Sequence, residues 1–597
     1  MLRCRSALLV VAVFAFLAGP LSAQTTATPD TEVPVTTLKL NVRTVLVDVV
    51  VTDKNNRAVP GLQKEDFQVS EDGKPQTISF FEPHFAAAAS ADNATPAPAL
   101  PPNTFTNVPA VTPNDTVNVL MMDALNTQMA DQAYVHKQIV RYLATIPPGI
   151  RVGIFLLSER LRIIQGFTQD SAVLRASIAR LASNPAPSAL LSTPAEASAQ
   201  NAATTMIQEQ ATETGSAQLA DTAAALQSFL NQEASFENNE RTVMTLDALQ
   251  QIARYLTGVP GRKNLIWFAG AIPLCFPAHT NGQEGCPYEE KLDKTISMLA
   301  DARVSIYPIG ATGLQTNTLY DAGQPQSHQH SFQALNAEQV GSLLSDQGTF
   351  AFSNIMMDRW AQGTGGRAVH DSNGLKEALA DDIENGSRYY TIAYTPTNRS
   401  EVGKERTIAI QSVSGNYKLA YHRSYFEDTP KEQRAAEAAP AKDPLRPLMD
   451  RGMPDFTELR YRMKVVPATP QPAADAAHAG DNPALSGALT RYTVSFSLAM
   501  DGLTLIPGPD GIRRGTIEVA LVAYSQEGKP LNWELRSINL AIRPGQLTIA
   551  QTSGIPFHFD IDSPSGDVYL RTGIYDASSS KAGTLEIPLR TLAVATR

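Results

Sequence analysis

Asp123 ends the run Val117-Asn118-Val119-Leu120-Met121-Met122 and opens the turn Ala124-Leu125-Asn126-Thr127. An apolar run that breaks abruptly into a carboxylate reads as a buried strand of a parallel sheet, with the acid at the sheet's carboxyl edge. Ligands of open α/β folds bind along that edge, so Asp123 is suited to holding a metal ion or acting as a catalytic carboxylate. The plainer alternative is a carboxylate that caps the turn following the strand.

The remaining chemistry-bearing residues narrow the field. Cys275 and Cys286 flank the Pro/Gly/Asn-rich loop CFPAHTNGQEGC, and in an oxidising compartment this short loop is expected to close as a disulfide. A metal site built on the same loop with His279 has too few soft ligands. No G-x-S-x-G, H-E-x-x-H or P-loop motif occurs, and the 9 histidines form no ligand spacing, so the chain is expected not to be an enzyme. The rival class is an extracellular hydrolase whose residues converge from distant segments. Ser327-His328-Gln329-His330 lies in a polar loop and reads as solvated. Asp301, Asp358, Asp381 and Asp382 sit on helical stretches and read as surface charges, whereas Trp267 and Trp360 read as core packing.

The elements that must position Asp123 come from a chain of 597 residues with a formal net charge of -10 and no long Lys/Arg run, which offers no electrostatic footprint for nucleic acid or an anionic membrane. Met1 to Ala23 has two arginines, an apolar core and a small-residue end, the pattern of an export signal; an uncleaved anchor is the alternative. No later segment reaches the ~20 apolar residues of a spanning helix, so the expected location is secreted or periplasmic, without a membrane span in the mature chain. Alternating strands over 35–85 predict a small β-sandwich, and the Ala/Pro-rich stretch 86–113 a linker. Strand-helix alternation over 114–425 predicts an α/β domain, with insertions near 182–235 and 311–350. Its last part, from Arg388 to Tyr425, is β and is assigned to that domain. A linker at 426–450 and a β-rich, sandwich-like domain at 451–597, with a disordered stretch near 468–486, complete the chain.

The strand ending in Asp123, the strand Val152 to Leu157, the helix beginning Arg241-Thr242-Val243-Met244-Thr245-Leu246 and the strand within GRKNLIWFAG follow in an order that resembles the von Willebrand factor type A domain family. With VVVTDKNNRAVPGLQKEDFQVSEDG and the export signal, the chain looks closest to the secreted VWFA-related proteins typical of Acidobacteria. The resemblance covers about residues 35 to 425. It implies a Rossmann-like open, mostly parallel sheet with helices on both faces, here flanked by β-sandwich domains. Family members with an intact metal-ion-dependent adhesion site bind Mg²⁺ or Mn²⁺ through D-x-S-x-S, a Thr from a second loop and an Asp after a later strand, because a hard cation takes oxygen ligands. In this sequence Asp123 matches, Leu125 replaces the first Ser, Thr127 substitutes for the second, Thr242 or Thr245 supplies the hydroxyl, and Ala269 stands in the place of the Asp. Asp123, Asn126, Thr127, Thr242 and Thr245 are thus the candidate metal set of a degenerate site. Lost ligand charge weakens such a site, so the leading expectation is no cofactor, with Mg or Mn at Asp123 as the alternative. The resemblance implies a protein-binding, adhesion or assembly module that meets a protein or cell-envelope partner at the sheet edge. The expected surface is Asp123, Asn126, Thr127, Ala269, Gly270 and Pro273, with the Cys275 to Cys286 loop beside them.

Overall fold

The computed structural model describes residues 44–85, 100–108, 116–183, 188–191, 194–272, 288–313, 352–397, 405–426, 444–472 and 477–592. The export signal, Pro273, the Cys275 to Cys286 loop and Ser327 to His330 lie outside them, as does most of the 311–350 insertion.

Four apolar runs, Val117–Asp123, Arg151–Leu157, Lys263–Ala269 and Val304–Gly310, form the parallel part of the central sheet. They read as continuous apolar runs because both faces are covered. Leu161–Thr168 adds an antiparallel edge to Arg151–Leu157. Numbered in chain order, the strands lie 3-2-1-4-5 across the sheet, and a parallel bridge from Ile309 to Val369 starts a sixth position. This is the doubly wound order, whose switch point lies between the Val117–Asp123 and Lys263–Ala269 strands. Alternate residues divide between two cores. Val119, Met121, Leu265 and Trp267 pack with Leu249, Leu292 and Trp360 from the helices Ala217–Leu256, Glu289–Asp301 and 352–364. Leu120, Met122, Ile266 and Phe268 pack with Ile139, Ile178 and Leu379 from Met129–Leu143, Ser171–Ser183 and Leu375–Gly386.

The N-terminal β-unit differs from the sequence expectation. Val45–Thr52 pairs antiparallel with Tyr389–Tyr394, and Phe67–Glu71 pairs with Glu405–Ser412. The strands from 389 to 426, assigned from sequence to the α/β domain, therefore complete the N-terminal unit, where Val47, Val49, Phe67, Tyr390, Ile392 and Ile408 share one core. Neither half could bury its apolar face alone, because among the described strands of the first half only Phe67–Glu71 and Lys74–Gln76 pair with each other.

A corresponding correction applies at the other end. Thr104–Thr106, placed in the 86–113 linker, pairs with Arg462 to Lys464 and forms an edge of the C-terminal sandwich. Leu445 and Met449, assigned to the 426–450 linker, are buried against Ala520 and Val522. Residues 477–486, within the stretch expected to be disordered, are fixed by hydrogen bonds: Ala479 N donates to Asp562 Oδ2 at 2.8 Å and Asn482 Nδ2 to Leu531 O at 2.6 Å. The Ala/Pro/Asp composition there concealed hydrogen-bond partners 49 and 83 residues away. Asp382, read as a surface charge, is buried and receives Arg367 Nη2 at 2.6 Å.

The sandwich docks through Thr457, whose Oγ1 accepts from Gly258 N at 2.7 Å and donates to Tyr255 O at 2.8 Å. A β-carbon on Gly258 would lie 2.7 Å from Thr457 Cβ. Gly258→Ala is therefore expected to cost about 1–3 kcal/mol of overpacking. Urea unfolding measures this, with Gly166→Ala as the control because nothing lies within 4 Å of its added carbon. Equal midpoints for the two variants would contradict the tight contact.

Candidate functional site

At the carboxyl end of the first parallel strand the chain turns because Ala124 N and Leu125 N both donate to Leu157 O, at 2.8 and 3.1 Å. The turn folds Asp123 inward. Its Oδ1 accepts from Asn126 N at 3.0 Å, while Oδ2 accepts from Asn126 Nδ2 and Trp267 Nε1, each at 2.9 Å. Asn126 Nδ2 also donates to Thr245 Oγ1 at 3.0 Å, which ties in the Ala217–Leu256 helix. On the neighbouring strand Gly270 N donates to Thr127 Oγ1 at 2.8 Å, and Ala271 N to Asn126 O at 3.1 Å. A β-carbon on Gly270 would crowd Asn126 O at 3.0 Å and Thr127 Cα at 3.1 Å. Thr242 Oγ1 donates to Asn238 O at 2.7 Å along its own helix.

Asp123, Asn126 and Thr245 thus share one hydrogen-bond network beneath the edge and Thr127 is tied to Gly270, while Thr242 is bonded along its own helix and Pro273 lies outside the described residues. Asp123, Asn126, Thr127, Thr242, Thr245 and Ala269 are all buried, Asp123 with 2% exposure, and Gly270 is partly exposed. Burial pushes the Asp123 carboxyl up to about 6; hydrogen bonds from Asn126 and Trp267, and the nearby Arg241 charge, limit the rise. Trp267 was expected as core and is fully buried, but its indole N–H is also the third donor to the carboxylate. Nothing in an apolar strand signals that polar handle.

This donor set does not fit a divalent cation. A hard cation needs several oxygens with lone pairs directed at it. The Asp123 oxygens are instead directed at three N–H groups, and the side chains of Leu125 and Ala269, both buried, offer no oxygen. Asn126 Oδ1 is a buried acceptor without a protein partner. A void of about 10 Å³ beside Asp123, lined by Thr127, Gln132, His136 and Phe268, holds at most a single water. Among the described residues no three His, Cys, Asp or Glu side chains are grouped as a metal centre.

The outer wall of this edge comes from the 182–235 insertion, whose sequence allows partial helix, and from the helix read at Asn238 to Leu256. Pro194–Thr214 and Ala217–Leu256 form a helical hairpin, broken at Gly215 in the left-handed region (φ 63°) and restarted by Ser216, whose Oγ accepts from Leu219 N. The signal was present: Pro194 at a helix start, then an Ala/Gln/Glu-rich stretch without Gly or Pro up to Gly215. Between the hairpin and the turn Gln128 to Gln132 lies a groove of about 380 Å³, walled by Met129, Leu191, Glu196, Gln200, Glu233 and Glu237.

No family model matches the chain, and no curated protein does. Solved structures with partial similarity include a von Willebrand factor type A protein from Catenulispora acidiphila (9% identity, TM-score 0.23, covering 54% of this chain and 71% of that one). An aerotolerance-related membrane protein from Bacteroides fragilis matches at 10% identity and TM-score 0.23, over 45% of this chain and 98% of its own. Three N-terminal domains of the type V pili tip protein Mfa5 from Porphyromonas gingivalis match at 10% and 0.23, over 88% and 99%. Likeness at this level names neither a family nor a function for the chain. The structure is that of a mixed α/β chain of several sheets, with a doubly wound centre and no described helix long and apolar enough to cross a membrane.

Proposed function

We propose that this chain is an exported protein-binding module, of the adhesion or assembly kind, that engages a protein or cell-envelope partner at the carboxyl edge of its central sheet without a metal ion. The observation that carries the reading is the state of the switch point. Asp123 is committed to Asn126 and Trp267, so the carboxylate braces the edge from within instead of meeting a substrate. The edge that it braces is elaborated by a helical hairpin, which suits a contact surface more than a pocket for a small molecule. Neither an enzymatic role nor a cofactor enters this reading.

The immobilised full chain should retain a discrete polypeptide from envelope material, and Met129→Arg, which alters the 47%-exposed side chain at the rim, should weaken that retention. Calorimetry with Mg²⁺, Mn²⁺ and Ca²⁺ should give no saturable heat. Reproducible turnover of a hydrolase substrate, abolished by a point substitution, would overturn the proposal, as would retention indifferent to every rim substitution.

A further inference from the structure

The hairpin leaves one aromatic helix face uncovered by the described residues. Phe229 and Phe236 are 60% and 62% exposed. Seven residues apart, they stand two turns from one another on the same face, and Glu233 lies between them on that face. Glu233 and Glu237 also wall the groove beside Met129, so the aromatic face runs into an acidic cleft. Large apolar side chains gathered in solvent mark a contact surface, and the acids select its charge. The Glu237 carboxyl is raised first by burial and then by repulsion from Glu233 and Glu196, with Arg241 opposing. A cation placed in the cleft would relieve that repulsion.

We propose that this face and cleft dock a cationic amphipathic segment of a protein partner, its apolar side chains over Phe229 and Phe236 and its Lys or Arg groups against Glu233 and Glu237. The inference rests on the protein-binding reading and gives its partner a chemistry. A bilayer is the less suitable occupant, because anionic headgroups would meet the same glutamates.

The probe is a fluorescently labelled 18-residue amphipathic Lys/Leu peptide, titrated with the full chain and followed by anisotropy. Phe229→Ser with Phe236→Ser, and separately Glu233→Lys with Glu237→Lys, should each weaken binding about tenfold or more, the equivalent of 1.4 kcal/mol. Helix content by circular dichroism checks that each variant folds. Glu527→Lys with Asp567→Lys makes the same charge change in the C-terminal sandwich and should leave binding unaltered. Equal loss in that control pair would mean general attraction to an acidic chain and would overturn the proposal. Adsorption to phosphatidylglycerol vesicles that depends on Phe229 and Phe236, with no peptide binding, would overturn it in favour of a membrane. Failure of the peptide to bind while envelope capture persists overturns the cationic docking alone; failure of both overturns the protein-binding reading as well.

Discussion

Asp123→Ala is expected to lower the unfolding free energy by about 3–5 kcal/mol, because buried N–H groups left without an acceptor cost about 1–3 kcal/mol each. The groups are Trp267 Nε1 and Asn126 N, together with one of the two N–H bonds of Asn126 Nδ2, whose other acceptor, Thr245 Oγ1, remains. Urea unfolding followed by tryptophan fluorescence reads both the loss and the changed environment of Trp267. The carboxyl also has a pH signature. Its folded value is raised to about 6 from an ordinary 3.8, so the unfolded chain releases this proton first. The stabilisation is full below about pH 4 and is lost as pH rises through 6, by about 3 kcal/mol in all. Asp123→Asn should remove that slope. A melting temperature raised by Mg²⁺ or Mn²⁺ in the native chain, but not in Asp123→Asn, would instead reinstate the ion.

The second large effect lies at the opposite edge of the sheet. Asp48 on the Val45–Thr52 strand receives Arg303 Nη2 at 2.6 Å, Arg303 Nε at 2.9 Å and Thr391 Oγ1 at 2.8 Å. Arg262, fully buried, donates to Tyr307 and to Gly365 O at the same junction. The N-terminal β-unit is thus fastened to the amino ends of the parallel strands by an ionic layer in which Asp48 and Arg262 are buried and Arg303 is partly buried. Removing one partner of such a layer strands the other charge, so Asp48→Ala should cost about 3–5 kcal/mol. Hydrogen exchange of Val47 to Val51 should rise with it, and an unaltered exchange pattern would contradict the role given to the layer. Burial alone would raise the Asp48 carboxyl, but Arg303, with help from Arg262 and Thr391, holds it below its ordinary range. Its stabilisation is present above about pH 4 and fails as pH falls through the depressed folded value. His422, buried beside Arg262, is pushed down to about 4 mainly by burial. The unfolded chain takes up that proton between about 6.5 and 4, where the folded chain does not, so the junction loses a further ~3 kcal/mol as pH falls through that window. Asp123 changes stability in the opposite direction over nearly the same range. Local hydrogen exchange at the switch point and at the junction should therefore resolve two opposed pH dependences.

Much of the centre was legible because its strands are buried on both faces. Val117 to Met122 and Asn264 to Phe268 can be read as strands without tertiary information, and the order of elements carries the doubly wound topology. The place of Asp123 at the sheet's carboxyl edge followed from its strand, whereas the grouping of Asn126, Thr127 and Thr245 with it was expected only from the resemblance to the von Willebrand factor type A domain. Their burial was not legible, because it depends on an indole N–H that looks apolar in sequence and on a backbone amide at Gly270. The strands from 389 to 426 were visible as β but joined to the wrong unit: alternation encodes which face is buried, not which sheet buries it. Ala479 and Asn482 were missed for a similar reason, since their partners Asp562 and Leu531 are distant in the chain.

The pairing of Val45–Thr52 with Tyr389–Tyr394 also sets an order of events. During synthesis the VLVDVVVT segment emerges more than three hundred residues before the strand that completes it. Until then it is a β-prone apolar strand with open edges, the kind of segment that pairs with copies of itself. The α/β domain contained between the two halves can fold first, and by bringing its own ends to one edge of its sheet it shortens the loop that the β-unit must close. The central domain is thus a folding template for the unit that encloses it, and variants that slow the domain should appear first as aggregation nucleated by residues 45–52.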